Sequence, residues 1–262
     1  VTVVSARDEQ IDRDTVVGKV VLILHAFTAD DHELSLAEIV RRTDLHKATV
    51  HRLAGELVAV RLLDRTATGY RLAGGLFELG MRASVERGLL ELAMPFLQDL
   101  YARTHETVHL GVLDGHEVVY VAKIGGHRQA SAPSRTGGRM PLHCTAIGKA
   151  LLAHSGADLR AAVLSAPLER RTARTIVAPG LLAGQLDTVR EQGVSYEWEE
   201  SALGIVCVAA PVLDVADNTV HAAISVTGPV GRFRPEAHAD AVRAAASGVA
   251  ATLARRRSLR TG

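Results

Sequence analysis

Aromatic side chains are scarce in this chain, at 3% of 262 residues, so its cores must be built mainly from Val, Leu, Ile and Ala. Apolar residues still reach 47%, which is ample for buried cores, and the length suits two modest domains better than one small one. Cysteine is nearly absent. Cys144 and Cys207 alone exclude a disulfide-rich scaffold and a four-Cys zinc site. Long apolar runs are missing too. The longest uncharged apolar stretch, Gly204 to Leu213, is interrupted by Pro211 and falls far short of the ~20 residues that span a bilayer. Arg7, Asp8, Glu9, Asp12, Arg13 and Asp14 precede any apolar run, which is wrong for a signal peptide, so the expectation is a soluble, cytoplasmic chain with no membrane partner. Charge of one sign is not in excess: 30 basic against 29 acidic residues leave +1, which excludes a wholly cationic surface but not a local patch.

Catalytic signatures are equally thin. No G-x-S-x-G elbow and no phosphate-cradling G-x-x-x-x-G-K-[ST] loop occurs, and Gly148-Lys149 lacks the upstream glycines. His143 beside Cys144 does not make a thiolate pair, because sequence neighbours on a helix or strand point apart. One run, His105-Glu106-Thr107-Val108-His109, matches the H-E-x-x-H pattern of zinc hydrolases. That chemistry needs a helix, so that both imidazoles share a face. Here β-branched Thr107 and Val108 lead into the alternation Val108, Leu110, Val112, and in a strand the two imidazoles would stand about 13 Å apart. The zinc-hydrolase alternative is therefore disfavoured; no metal, cofactor or catalytic residue is expected.

The first fourteen residues read as a polar tail, and periodicity begins after them. Val16, Val20, Ile23, Leu24 and Phe27 recur at helical spacing. Ser35 with Glu38 three residues on predicts a capping box that opens a second helix to about Thr43. After a break at Thr43, Asp44 and Leu45, a third helix is predicted over His46 to Val60, with Val50, Leu53, Leu57 and Val60 as its buried stripe. Ala48, Arg52, Gly55 and Ala59 point the other way, flanked by Thr49 and His51. Leu62 to Arg65 and Tyr70 to Leu72 bracket Thr66 to Gly69 as a two-stranded hairpin. Three short helices and a hairpin over residues 15–75 describe a winged helix-turn-helix. Residues 41 to 71 carry Arg41, Arg42, Lys47, Arg52, Arg61, Arg65 and Arg71 against Asp44, Glu56 and Asp64, a local excess of +4. Screening confines most charge effects to about 8 Å at physiological salt, so this local field is what a phosphate backbone would meet.

Gly74 and Gly75 mark a boundary. Residues 76–90 read as a linker helix through Leu76, Leu79 and Ala83. A second helix follows with Leu89, Leu92, Ala93, Phe96, Leu97 and Leu100, in which Pro95 either makes a bend or marks the first turn. From residue 91 to 262 the pattern mixes periods. Strands are predicted at Val108 to Leu113 and Val118 to Lys123 around the Asp114-Gly115 turn, and at Val194 to Trp198, Ile205 to Leu213 and Val220 to Val226. Helices are predicted at Thr145 to His154, Asp158 to Leu164, Leu181 to Gln192 and from Pro235 to about Arg257. The fold class is α+β: an antiparallel sheet flanked by helices behind a small helical domain.

The run from Gly138 to Ala153, Gly-Arg-Met-Pro-Leu-His-Cys-Thr-Ala-Ile-Gly-Lys-Ala-Leu-Leu-Ala, closely resembles the signature of IclR-type bacterial transcription regulators. A second block agrees: Gly193, Glu197, Glu199-Glu200, Gly204 to Val212, Ala222 to Pro229 and Arg232. Leu45 to Leu53 resembles the family's recognition helix. The family often has Gly-Leu-Pro-Lys-Ser-Thr where this chain has Asp44-Leu45-His46-Lys47-Ala48-Thr49, which removes a preset φ at the helix start and a hydroxyl that could reach phosphate. The resemblance implies a ligand-responsive DNA-binding regulator, repressor or activator, with a GAF-like effector domain. It is expected to act as a homodimer or a dimer of dimers on near-palindromic double-stranded DNA. It further implies that Thr49, His51 and Arg52 reach base edges while Arg41, Arg42, Lys47 and the wing residue Arg65 hold phosphates. A small organic effector would lie by Ala146, Ile147, Glu197, Ile205, Cys207 and Ser225. Trp198 is expected beside that cavity.

Overall fold

The computed structural model describes residues 11–28, 30–80, 82, 84–125, 130 and 132–261, without the side chains of residues 84–87, 260 and 261. Most of the expected polar tail, and Ala83 of the linker stripe, therefore lie outside the described residues. The chain divides into two compact units, Val1–Ser84 and Val85–Gly262.

The first unit opens with α1 (Val16–His25), capped by the Thr15 side chain. Helix α2 (Leu36–Thr43) is capped by Ser35, whose hydroxyl accepts from the Glu38 amide at 3.2 Å. The box is half made, because the Glu38 carboxylate turns to Arg41 and Arg42 instead of reaching back. Asp44 ends α2 in the left-handed conformation at φ 56°, and α3 (Lys47–Ala59) follows directly. Val50, Leu53, Ala54 and Leu57 bury one side of α3 against Leu22, Ile23, Ile39, Leu63 and Tyr70. Val60 does not join the stripe: α3 has ended, and the side chain is 62% exposed. Strands β1 (Leu63–Arg65) and β2 (Tyr70–Leu72) pair antiparallel, and Leu34 adds a backbone bridge to Tyr70, giving the wing a third edge. The short helix α4 (Gly74–Gly80) buries none of its side chains.

In the second unit α5 (Ser84–Thr104) is continuous, so the expected linker stretch 76–90 is divided between α4 and the first turns of α5. Pro95 lies inside α5, not in a first turn. A six-stranded antiparallel sheet has the order β5-β4-β3-β8-β7-β6, with β3 (Thr107–Asp114), β4 (Glu117–Ile124), β5 (Arg139–Pro141), β6 (Ser195–Trp198), β7 (Ile205–Leu213) and β8 (Val220–Pro229). Each strand contributes alternate residues to the two faces. Val108, Leu110, Val206, Val208, Ala210, Ile224 and Val226 pack on one face with Leu89, Ala93, Leu97 and Leu100 of α5 and with Val242, Ala246 and Val249 of α9 (Ala239–Thr261). The opposite face, with Cys207, Ala209 and Ala223, meets α6 (Ala146–Ala153), α7 (Ala157–Ser165) and α8 (Pro179–Gln192) through Ile147, Leu151, Val163, Leu182 and Leu186. Both core faces are mainly aliphatic, as the shortage of aromatics requires, with Phe233 buried on one and Tyr120 on the other. The turn before β8 uses Asn218 at φ 58°, a conformation Asn tolerates.

Candidate nucleic-acid interface and effector site

On α3 the outward side carries Lys47, Ala48, His51, Arg52, Gly55 and Glu56, all exposed, while Thr49 is half-buried beside the core. Arg52 is paired along the helix with Glu56 at 2.6 Å, both side chains 58% exposed, an arrangement worth a few tenths of a kcal/mol in water. Its guanidinium can therefore exchange partners cheaply. Arg41 is comparably open and is held by Glu38 at 2.6 Å. Arg42 differs from the other candidate phosphate contacts. It bridges Asp31 at 2.5 Å, Glu38 at 2.7 Å and the Ala26 carbonyl at 2.9 Å, with only 23% of the side chain exposed. Arg41 and Arg42 together hold Glu38 down to about 2, and Arg42 holds Asp31 lower still. Arg42 is thus a tie between α2 and the loop after α1. Arg65 is exposed on the wing and lies over the Tyr70 ring at 5.5 Å.

In the second unit the register of the sheet collects polar side chains on the face toward α6. Glu197, Cys207, Thr227 and Thr107 stand opposite one another across four strands. Next to them run Ser195, Ala209, Ser225, His109 and Lys123. Ile205, two residues from Cys207, shares this face. Helix α6 lies over it. Thr145 caps α6 by accepting from the Gly148 amide at 3.0 Å, and the Ser195 hydroxyl donates to the Ala146 carbonyl at 2.6 Å. Gly111 of β3 supplies the space for Ile147: a Cβ there would stand 2.8 Å from the Ile147 methyl. The six residues expected to line an effector site are all buried and belong to this α6 face. Trp198 is not among them, since its register with Val206 turns it to the opposite face.

The chemistry of this face is largely uncharged. Glu197 accepts from the Ser201 amide at 2.9 Å and from the Ser201 hydroxyl, while burial raises its pKa. The Cys207 sulfur lies 3.0 Å from the Thr227 hydroxyl, and burial raises the Cys207 thiol as well. Burial, reinforced by Glu197, pushes the Cys144 thiol up to about 12. His109 is pressed down to about 3 by burial and by Lys123, so it is neutral, with Ser134 at 2.7 Å on Nε2 and Ser225 at 3.3 Å on Nδ1. Lys149 and Glu200 form a buried pair at 2.6 Å. The second Glu200 carboxylate oxygen is buried without a hydrogen-bond partner among the described residues.

Sequence reasoning considered His109 only as a metal ligand of the disfavoured hydrolase alternative, and as members of this face it missed His109, Thr107, Thr227, Lys149 and Glu200. The first three had a legible signal: Thr107-x-His109 and Ser225-x-Thr227 place polar residues at strand period in otherwise apolar strands. The same segment gives the disfavoured zinc-hydrolase alternative no support. His105 precedes the strand at φ 53°, Glu106 is buried against Arg232, and His109 sits within β3 between two serines. No helix carries the motif.

Two family models match in sequence order. The IclR helix-turn-helix domain covers residues 16–67, and the bacterial transcriptional regulator IclR C-terminal domain covers 81–253. This chain belongs to the IclR family. Among its relatives, the HTH-type transcriptional regulator KdgR of Escherichia coli K12 is 36% identical over 232 residues, spanning 87% of this chain and 88% of KdgR. XynR of the same organism is 36% identical over 220 residues, 80% of this chain and 84% of XynR. An IclR homolog from Microbacterium hydrocarbonoxydans, crystallised with 4-hydroxybenzoate, superposes with a TM-score of 0.86 at 30% identity, covering 92% of this chain and all of that one. The Thermotoga maritima IclR gives 0.74 at 27% identity over 91% and 98%. The IclR chain described here is accordingly a ligand-responsive, DNA-binding transcriptional regulator with an amino-terminal helix-turn-helix unit and a carboxy-terminal α/β unit. No helix among the described residues is long and apolar enough to cross a membrane.

Proposed function

We propose that α3 reads an operator in the major groove of double-stranded DNA through His51, Arg52 and Thr49, while Lys47, Arg41 and Arg65 hold phosphates. The observation that carries this reading is the division of α3: its apolar side is buried in the unit's own core, and its polar side is left to solvent. Arg42 contributes by fixing α2 and has a lesser share in phosphate contact, because its fork is already occupied. The regulator acts in the cytoplasm as a homodimer or a dimer of dimers, which supplies the two recognition helices that a near-palindromic operator needs.

The effector is a small organic molecule held on the α6 face. The first amides of α6, at Ala146 and Ile147, favour a carboxylate, and Glu197, Ile205, Cys207 and Ser225 complete the lining. The 4-hydroxybenzoate of the Microbacterium homolog is an acid of this general kind. Binding, not catalysis, is the function. Both thiols are held protonated, and neither histidine of the H-E-x-x-H run is arranged for helical metal coordination. An effector changes operator affinity only by preferring one arrangement of the protein over another.

Footprinting on the DNA upstream of the regulator's own gene, combined with light scattering at micromolar concentration, tests this reading. Two protected half-sites and at least a dimer are expected. A monomer with a single unpaired contact region would contradict the symmetric model.

A further inference from the structure

The loop between α7 and α8 is strapped across the effector site. At one end the His143 ring, just before α6, donates from Nε2 to the Glu169 carbonyl at 2.9 Å. At the other, the Thr172 hydroxyl donates to the Glu199 carbonyl and the Thr175 hydroxyl to the Glu200 carbonyl, each at 2.7 Å, in the turn after β6. The loop is further folded on itself, with the Arg171 and Thr172 amides both donating to the Thr175 hydroxyl at 3.1 and 2.8 Å. It is therefore a fixed bridge between the segment that leads into α6 and the strand that carries Glu197.

Three arginines stand on this bridge, and two are committed elsewhere. Arg170 reaches the carbonyls of Ala173 and Thr175, and Arg174 pairs with Glu199 at 3.0 Å. Arg171 instead turns toward β5. Its Nη1 lies 3.8 Å from the Met140 sulfur, and Met140 belongs to the same buried cluster as Ala146 and Ile147. Its charge is felt at the Cys144 thiol, where it pulls against the burial and against Glu197. Arg171 forms a loose ion pair with Glu169 on its own loop, at 3.6 Å and with the Glu169 side chain 65% exposed, so the pair is weak and readily exchanged. Among the charged side chains around the site, Lys149 is matched by Glu200 and Glu197 is satisfied by Ser201. Among the described residues, Arg171 is a cation there whose planar fork of donors has no carboxylate within hydrogen-bond distance, its ion pair with Glu169 being long and solvent-exposed.

We propose that Arg171 reads a second anionic group on the effector, which makes small dicarboxylic acids the ligand class of this chain. One carboxylate lies on the α6 amides and the other is held two-pronged by the Arg171 guanidinium. The inference rests on the effector reading above and adds to it the class of ligand. Arginine suits this task because its fork matches the two oxygens of a carboxylate, whereas lysine offers only a point charge.

Thermal-shift and calorimetric titrations of the full chain with succinate, glutarate and adipate, each against butyrate, valerate and hexanoate, test the proposal. The wild type is expected to bind at least one diacid about tenfold more tightly than the monoacid of equal length. Arg171→Gln abolishes that preference, and Arg171→Lys, which keeps the charge without the fork, retains part of it. A monoacid bound as tightly as its diacid, or a diacid preference that survives in Arg171→Gln, overturns the role of Arg171 and leaves the effector site standing. A wild type unmoved by every acid in both series overturns the dicarboxylate class and counts against the carboxylate reading of α6 itself.

Discussion

His109 shows how a single buried side chain ties the α6 face of the sheet to pH. Burial, with Lys123 nearby, lowers its pKa to about 3 from an ordinary 6.5, so the folded protein keeps the ring neutral while the unfolded chain protonates it. The stability it supports is therefore fully present above about 6.5 and drains away as the pH falls toward 3. Between neutrality and about two pH units below, the wild type should lose about 2 kcal/mol of unfolding free energy that a His109→Gln variant keeps. Buried Glu106 and Glu197 act in the opposite sense, since their raised values favour the fold at low pH, and comparing the two proteins cancels them. Parallel urea-denaturation curves at each pH for both proteins would remove His109 from this role.

Between elements, the buried Lys149–Glu200 pair joins the second turn of α6 to the turn that follows β6. Both side chains are almost wholly inaccessible, at 2% and 4% exposure. Removing one partner strands the other charge in the interior, so Lys149→Met should cost about 3–5 kcal/mol in urea denaturation, and adding Glu200→Gln should recover part of it. Equal stabilities for the single and double variants would deny the pairing. Neither residue stood out in the sequence, because they are 51 positions apart and nothing local connects them. The elements themselves were far more legible. The strand period of β7, the helical period of α3 and α5, and the cap at Ser35 all lie within short windows, where backbone geometry dictates which residues share a face. What failed was set by neighbours distant in sequence. Strand β5 is three residues long and exists through pairing with β4, and Arg42 is tied to Asp31, 11 positions away, which leaves its side chain 23% exposed. Val60 lost its place by one residue of helix length. The H-E-x-x-H run was resolved correctly from β-branching alone, because that preference is local.

Across the regulator as a body, the sequence divides its work between two units of different chemistry. The first is a small, mainly aliphatic core that displays a cationic helix side; the second is a curled sheet whose α6 face gathers polar groups under a fixed bridge. The family resemblance was readable because the run from Gly138 to Ala153 encodes several geometric necessities at once. Thr145 must cap α6, and Gly148 must lack a Cβ because the Leu142 carbonyl and the Thr145 hydroxyl occupy that space. The chemistry of the proposed effector site was less readable, since His109 and Glu200 come from separate stretches of chain and Arg171, which we propose to add to them, from a third. In the proposed function, regulation depends on α3 meeting DNA by its outward side. The most direct measurement is a fluorescence-anisotropy titration of the footprinted operator with wild-type protein and with Arg52→Ala, at matched salt and with helicity checked by circular dichroism. Arg52 is predicted to be worth about 1–3 kcal/mol of operator affinity, with little change on unrelated DNA. Undiminished operator affinity in a fully folded Arg52→Ala protein would contradict it.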